Sequence, residues 1–421
     1  MTRSSVRVRR SGRAVGATAC VAAALIASAP CLPGDLSTGR PPGKPPSALA
    51  ELGKHLFFDA SLSASGRQSC ATCHSPEFAY APPNGRGVQL GGPSVDREGA
   101  RAVPSLRYTL NRTPVWHREF VANPAERYRE GEAPPTGGFG WDGRFDSLHE
   151  QAAFPLLAQN EMANTSPEDI ASKLVHASYA SEIRALIGRS AFADSSRLYA
   201  VALLAIERFE LEDTSFHPFT SKYDDYLDGK TELSKQEARG LRLFDDTARG
   251  NCASCHPDDK GADGSHPLFT DYELEALGVP RNPEIRANAA PEYFDMGLCG
   301  PIRTDQASQT GYCGLFKTPT LRNVATRRAF FHNGRFHTLK DVLRFYATRD
   351  TDPATWYPAS ASGAVDLFDD LPTALRDNVD RREPPFTLHE HAAPLWSDDE
   401  IEDVLAFLKT LTDRDVVGLN P

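Results

Sequence analysis

Two short stretches of this chain, Cys70-Ala-Thr-Cys73-His74 and Cys252-Ala-Ser-Cys255-His256, restrict what it can fold into more than any other feature. The C-x-x-C-H spacing suits covalent haem, because two thiols become thioethers to the vinyl groups and the next imidazole becomes the proximal iron ligand. A single C-x-x-C would serve equally as a zinc half-site or a redox dithiol. Histidine fills only 12 of 421 positions, so its recurrence after both pairs by accident has a probability on the order of one in a thousand. We therefore read two covalently bound haems c, with His74 and His256 as iron ligands. A chain of 421 residues has room for two domains that each bury a core.

The surroundings of the two motifs look like two versions of one unit. ELGKHLFFDASLSASGRQSCATCH has its counterpart in ARGLRLFDDTARGNCASCH: a helix carrying Leu-Phe, a polar turn, then the motif. Each half closes with an apolar helix, SSRLYAVALLAIERFE in the first and SDDEIEDVLAFLKTL in the second, the latter with Ser397 as N-cap and acidic residues in its first turn. The polar segment SKYDDYLDGKTELSKQ reads as a linker. Strand signals are few. The expected fold is mainly α: two cytochrome c-like domains over 40–225 and 234–421, with long loops such as Pro353 to Pro385.

Residues 1–30 read as a signal peptide, with Arg3, Arg7, Arg9, Arg10 and Arg13 ahead of the small, apolar run AVGATACVAAALIASA. That run is shorter than the roughly 20 residues that span a bilayer, so a membrane anchor is the weaker reading, and no other segment could span. Removing the five leader arginines takes the formal charge from −10 to about −15, which argues against a nucleic-acid partner and permits a basic one. Of eight cysteines, four go to haem and Cys20 lies in the leader. Cys299 and Cys313 are then a candidate disulfide in an oxidising compartment, the periplasm, and Cys31 is left over, with Pro30 where a lipoprotein site wants a small residue.

Over nearly the whole mature chain the order of motifs resembles the bacterial dihaem cytochrome c peroxidases, and more narrowly their MauG-like branch. The motifs are LFFD, SCATCH, GFGWDGRFDSLHEQAAFPLLAQNEMAN, CASCH, FKTPTLRNVA and FFHNGRFHTLKDVLRFY. Peroxide reduction needs an open iron. No histidine or methionine lies between Ser75 and Trp116, where typical members carry a removable histidine, so the iron of His74 is expected to be open. Tyr80, Tyr108 and His117 are the competing ligands.

The resemblance assigns further roles. Glu161, in the spacing Gln151, Pro155, Glu161, matches the distal acid-base group with the glutamine nearby; on its own it would read as a solvated helix-end glutamate. Trp141 corresponds to the tryptophan between the haems and is also an ordinary core residue. For the far ligand of the second iron the residues alone offer Met296, whereas the resemblance chooses Tyr346, a phenolate that stabilises ferric and higher states. His332 resembles a histidine supporting the second haem's pocket, or is a satisfied structural histidine. An inter-haem calcium ion is a candidate cofactor, but its asparagine is Ala102 here and its threonine-x-proline reads Arg327, Arg328, Ala329. The tryptophan that precedes the second motif in MauG is Gly250 here, so the route out to a partner should differ.

The resulting expectation is a periplasmic haem-dependent oxidase of peroxidase type. Hydrogen peroxide would generate a high-valent dihaem state that oxidises tryptophan in a protein partner. A peroxide scavenger fed by a small redox protein is the alternative, and a non-catalytic dihaem electron carrier the second; the missing methionine disfavours the former and the open iron the latter.

Overall fold

In the first half, the helix Ala48–Phe58 is capped by Ser47, whose Oγ accepts from the Ala50 amide at 3.1 Å, and it buries Leu52, Gly53, Leu56 and Phe57. A Cβ on Gly53 would stand 1.8 Å from the Ala205 carbonyl oxygen in the helix Ser195–Glu212, so the two helices meet backbone to backbone. The second half repeats this contact. The helix Lys235–Asp245 opens with a capping box of Ser234 and Glu237, and a Cβ on Gly240 would stand 1.9 Å from Asp403 O in the helix Asp398–Lys409. Phe57 and Phe244, each four residues after its glycine, are both fully buried. A glycine that admits a neighbouring helix, with an aromatic one turn later, is the physical content of the sequence repeat.

This computed structural model describes residues 45–109, 112–117, 135–360, 362–416 and 418. The arginine-rich leader, Cys20, Cys31 and residues 40–44 lie outside the described residues. Leu52, Leu56, Leu156, Ile170, Leu174 and Ile206 belong to one apolar core; Phe244, Phe345, Val404, Phe407 and Leu408 belong to another. The protein is mainly helical. Its strands are two short antiparallel ladders among the described residues, Leu90–Gly91 with Arg97–Glu98 and Leu274–Glu275 with Phe316–Lys317. The segment Pro353 to Pro385 carries 3-10 turns over Pro353–Thr355 and Thr373–Asn378 and is otherwise irregular.

The polar stretch 221–236 differs from its reading as a linker. It starts as the helix Lys222–Leu227, and Tyr223 is buried in the second core against Phe269 and Phe407. Six residues are too few for a helical period to show in sequence, and the charges around Tyr223 hide its burial.

Buried ion pairs tie distant segments together. Asp413, with no exposed surface, accepts from Tyr108 Oη at 2.8 Å, Arg107 Nη1 at 3.0 Å and Asn323 Nδ2 at 2.7 Å. Arg322 forms a bidentate pair with Asp224 at 2.8 and 3.0 Å. Cys299 and Cys313 are joined by a disulfide, their Cα atoms 5.0 Å apart. Among the described residues no helix is long and apolar enough to cross a membrane.

Candidate haem sites

Each C-x-x-C-H motif forms one helical turn, Cys70–Cys73 and Cys252–Cys255, closed by the histidine amide donating to the first cysteine's carbonyl at 2.9 Å for His74 and 2.8 Å for His256. The two histidines share a backbone conformation, φ −119° and ψ 71° for His74 and φ −122° and ψ 66° for His256. Each ring directs Nδ1 to a carbonyl, Tyr80 O at 3.1 Å and Phe269 O at 2.8 Å. With Nδ1 as donor, Nε2 is left as a lone-pair donor for iron. Burial pushes both imidazoles down to about 4, so both are neutral and able to ligate at neutral pH.

The thiols distinguish among the readings of C-x-x-C. None of the four is in a disulfide. Burial pushes Cys70, Cys73 and Cys252 up to about 12, and Cys255 further still. Burial of this kind disfavours a free thiolate and suits thioethers, which carry no charge. A cavity of about 1070 Å³ is lined by Cys252, Cys255, His256, Trp141 and Tyr346, and residues on its wall give it a largely apolar interior. The residues present fit two haems c.

Around the first motif, the competing ligands are engaged elsewhere. Tyr80 Oη is 2.6 Å from Ser215 Oγ, and its ring stacks on Phe216 with centroids 3.8 Å apart. The Tyr108 hydroxyl donates to Asp413, and His117 Nδ1 meets Val115 O at 2.7 Å. Glu161 is held in the turn after the helix Leu148–Leu157, where its carbonyl accepts from Gly92 N at 2.7 Å. Gly91 makes that approach feasible, since a Cβ there would stand 2.7 Å from Glu161 Cα. Burial raises the Glu161 carboxyl to about 7 against the opposing pull of Arg144, and its charge reaches Cys73. Gln151 lines the cavity from the same helix.

Trp141 lies on the cavity wall, with Nε1 donating to Ala102 O at 2.7 Å. Tyr346 projects from the helix Leu339–Thr348 beside Phe386, ring centroids 5.5 Å apart, and its phenol sits in the field of Cys252 and Cys255. Burial pushes that phenol well above its ordinary value. Met296 is absent from the cavity wall, where Tyr346 and His256 both lie. His332 stacks on Phe316 at 3.5 Å between centroids, its Nε2 3.6 Å from Asp370 Oδ2 without a hydrogen bond.

Sequence reasoning did not single out Glu210. It is buried on the helix Ser195–Glu212, raised to about 8 by burial and by Glu207, and close enough for its charge to act on Cys70. A glutamate in an apolar helical repeat carries no signal of its own. Glu275, in the short strand Leu274–Glu275, is raised to about 8 by burial and Asp380 and was also not singled out.

Paired C-x-x-C-H turns of this construction define a c-type dihaem protein, and its relatives are haem-dependent oxidoreductases. A family model described as di-haem cytochrome c peroxidase matches residues 47–232. The chain is similar to the methylamine utilization protein MauG of Paracoccus denitrificans, 32% identical over 379 residues and covering 87% of this chain and 89% of that protein. It is similar to the cytochrome c551 peroxidase of Nitrosomonas europaea, 28% identical over 298 residues, 70% of this chain and 71% of that one. The crystal structure of the diheme peroxidase BthA from Burkholderia thailandensis superposes with a TM-score of 0.79 at 37% identity, over 90% of this chain and 89% of that chain. This chain belongs to the dihaem cytochrome c peroxidase family, in its MauG-like branch.

Proposed function

We propose that this protein is a periplasmic peroxide-driven oxidase that withdraws two electrons from a protein partner, with tryptophan as the oxidised group. The haems supply peroxide reduction at one iron and storage of oxidising equivalents at both. His74 holds the first iron. Glu161 takes the proton that bound peroxide releases and returns it to the departing oxygen, a task suited to a carboxyl near 7. Gln151 lines the cavity that also holds Trp141 and His256. Trp141, fixed by its bond to Ala102, is the aromatic relay between the two haems. His256 and Tyr346 hold the second iron, with His332 supporting that pocket. The overall balance is one peroxide and two protons to two waters, with both electrons from the partner.

The observation that carries this reading is the presence of Tyr346, and not Met296, on the cavity wall with His256. A phenolate ligand lowers a haem's potential and suits storage of oxidising equivalents over acceptance of electrons from a small carrier. The scavenger reading is tested by mixing the holoprotein with peroxide and a reduced small c-type cytochrome. Slow, substoichiometric oxidation of the cytochrome is expected, and rapid multiple turnover would favour scavenging.

A further inference from the structure

Of the four arginines on the cavity wall, two have carboxylate partners. Arg107 pairs with Asp413 and Asp415, and Arg322 with Asp224; Arg382 is exposed to solvent. Arg327 is different. It lines the cavity, and its Nη2 donates to two neutral acceptors, Val103 O and Ala329 O, each at 3.2 Å. No carboxylate of the described residues lies within ion-pair distance of it. A guanidinium has five N–H donors, and an unpaired charge in a largely apolar cavity is expensive. The chain thus holds a cation whose anion comes from elsewhere.

Two further observations say which anion. Arg327 borders the cavity that contains His256 and is close enough to His74 for its charge to act on that imidazole, so it lies near both sites. Val103 O, which it grips, directly follows the carbonyl that fixes Trp141. The anions that haem brings into such a space are its propionate carboxylates, and a planar guanidinium fork matches a carboxylate in bidentate fashion. A divalent ion has poor prospects at the same place. Ala102 offers no side-chain oxygen, a fixed positive charge is adjacent, and among the described residues no group of three His, Cys, Asp or Glu side chains is arranged to hold a metal ion.

We infer that Arg327 is the counterion of a haem propionate and supplies, from the chain itself, the positive charge between the haems, with no calcium ion bound there. The inference rests on haem occupancy alone and is independent of which partner is oxidised. A fixed cation beside a propionate disfavours the ferric state and holds the haem potential up.

The test uses the holoprotein. Its calcium content is measured, and the midpoint potentials of both haems are recorded before and after treatment with a calcium chelator. Less than one calcium per protein and unchanged potentials are expected. In Arg327→Gln at least one potential should fall, whereas Arg327→Lys should stay nearer the wild type because it keeps the charge. Stoichiometric calcium whose removal shifts the potentials would overturn the inference, as would wild-type potentials in Arg327→Gln. If the glutamine variant fails to retain both haems, the chelation arm and the lysine variant decide: a shift on chelation, or a lysine variant with a potential displaced upward, rejects the pairing.

Discussion

Trp141 and Ala102 are joined by an indole-to-carbonyl hydrogen bond of 2.7 Å, and the same Ala102 donates its amide to His332 O at 2.7 Å. One residue therefore fixes the indole on the cavity wall and ties it to the segment that carries His332. If Trp141 relays electrons, this fixed orientation matters because transfer depends on contact with both donor and acceptor.

Trp141→Phe removes the indole and its N–H while keeping an aromatic ring. The unpaired Ala102 carbonyl should cost about 1 kcal/mol of stability, with both haems still attached. Rapid-mixing absorption should show an unchanged first reaction with peroxide and a slower spread of oxidation to the second haem. Equal rates for that second phase would remove Trp141 from the route.

The resting ferric protein should give one high-spin and one low-spin haem signal in electron paramagnetic resonance. Among the described residues the competing ligands Tyr80, Tyr108 and His117 are each bonded elsewhere, which leaves the sixth position of the iron held by His74 open on this reading. Two low-spin signals would mean that the first iron has a sixth ligand.

If Glu161 is the proton carrier, the peroxide reaction should depend on pH. Its carboxyl, raised to about 7 by burial, accepts a proton only when ionised, so the rate should rise as pH increases through about 7 and fall below it. Glu161→Gln should be slower by roughly 10²- to 10⁴-fold and flat over that range. A glutamine variant with the wild-type profile would exclude the carboxyl as the proton carrier.

Gly53→Ala and Gly240→Ala test the repeat. Each adds a Cβ into a carbonyl of the facing helix, 1.8 Å and 1.9 Å away, so each should destabilise by about 1–3 kcal/mol or more as the helices separate. Thermal unfolding followed by haem absorption measures it. Two variants as stable as the wild type would show that these helices separate freely.

How far the sequence carried depended on how local the signal was. Cys70, Cys73 and His74 define a haem-attachment turn within five residues, and Ser397 announces its helix through a capping box with Glu400. Helix content and the closing helices followed from apolar period. Arg327 and Ala102 could be seen as departures from a pattern, but the bond between Arg327 and Val103, 224 residues apart, is tertiary and leaves no trace in either neighbourhood. Tyr223 and Glu210 were hidden for the opposite reasons: one is an aromatic among charges, the other a charge among aliphatics.

Tyr346 separates the oxidase from the scavenger. Its hydroxyl belongs to a ring held between Phe386 and Phe331, with centroids 5.5 and 6.0 Å away, and burial makes the free phenol hard to ionise. Binding to iron would overcome that penalty, because a coordinated phenol gives up its proton to the metal's charge. Tyr346→Phe removes the donor atom with little change in volume, so the fold and both covalent attachments should survive. The first haem should still react with peroxide. Its near-infrared absorption after one equivalent of peroxide, expected in the wild type from charge resonance between two coupled oxidised haems, should vanish in the variant, together with oxidation of a partner's tryptophan. If the wild type lacks this band, or the variant keeps it, Tyr346 is a core tyrosine and Met296 becomes the ligand to test.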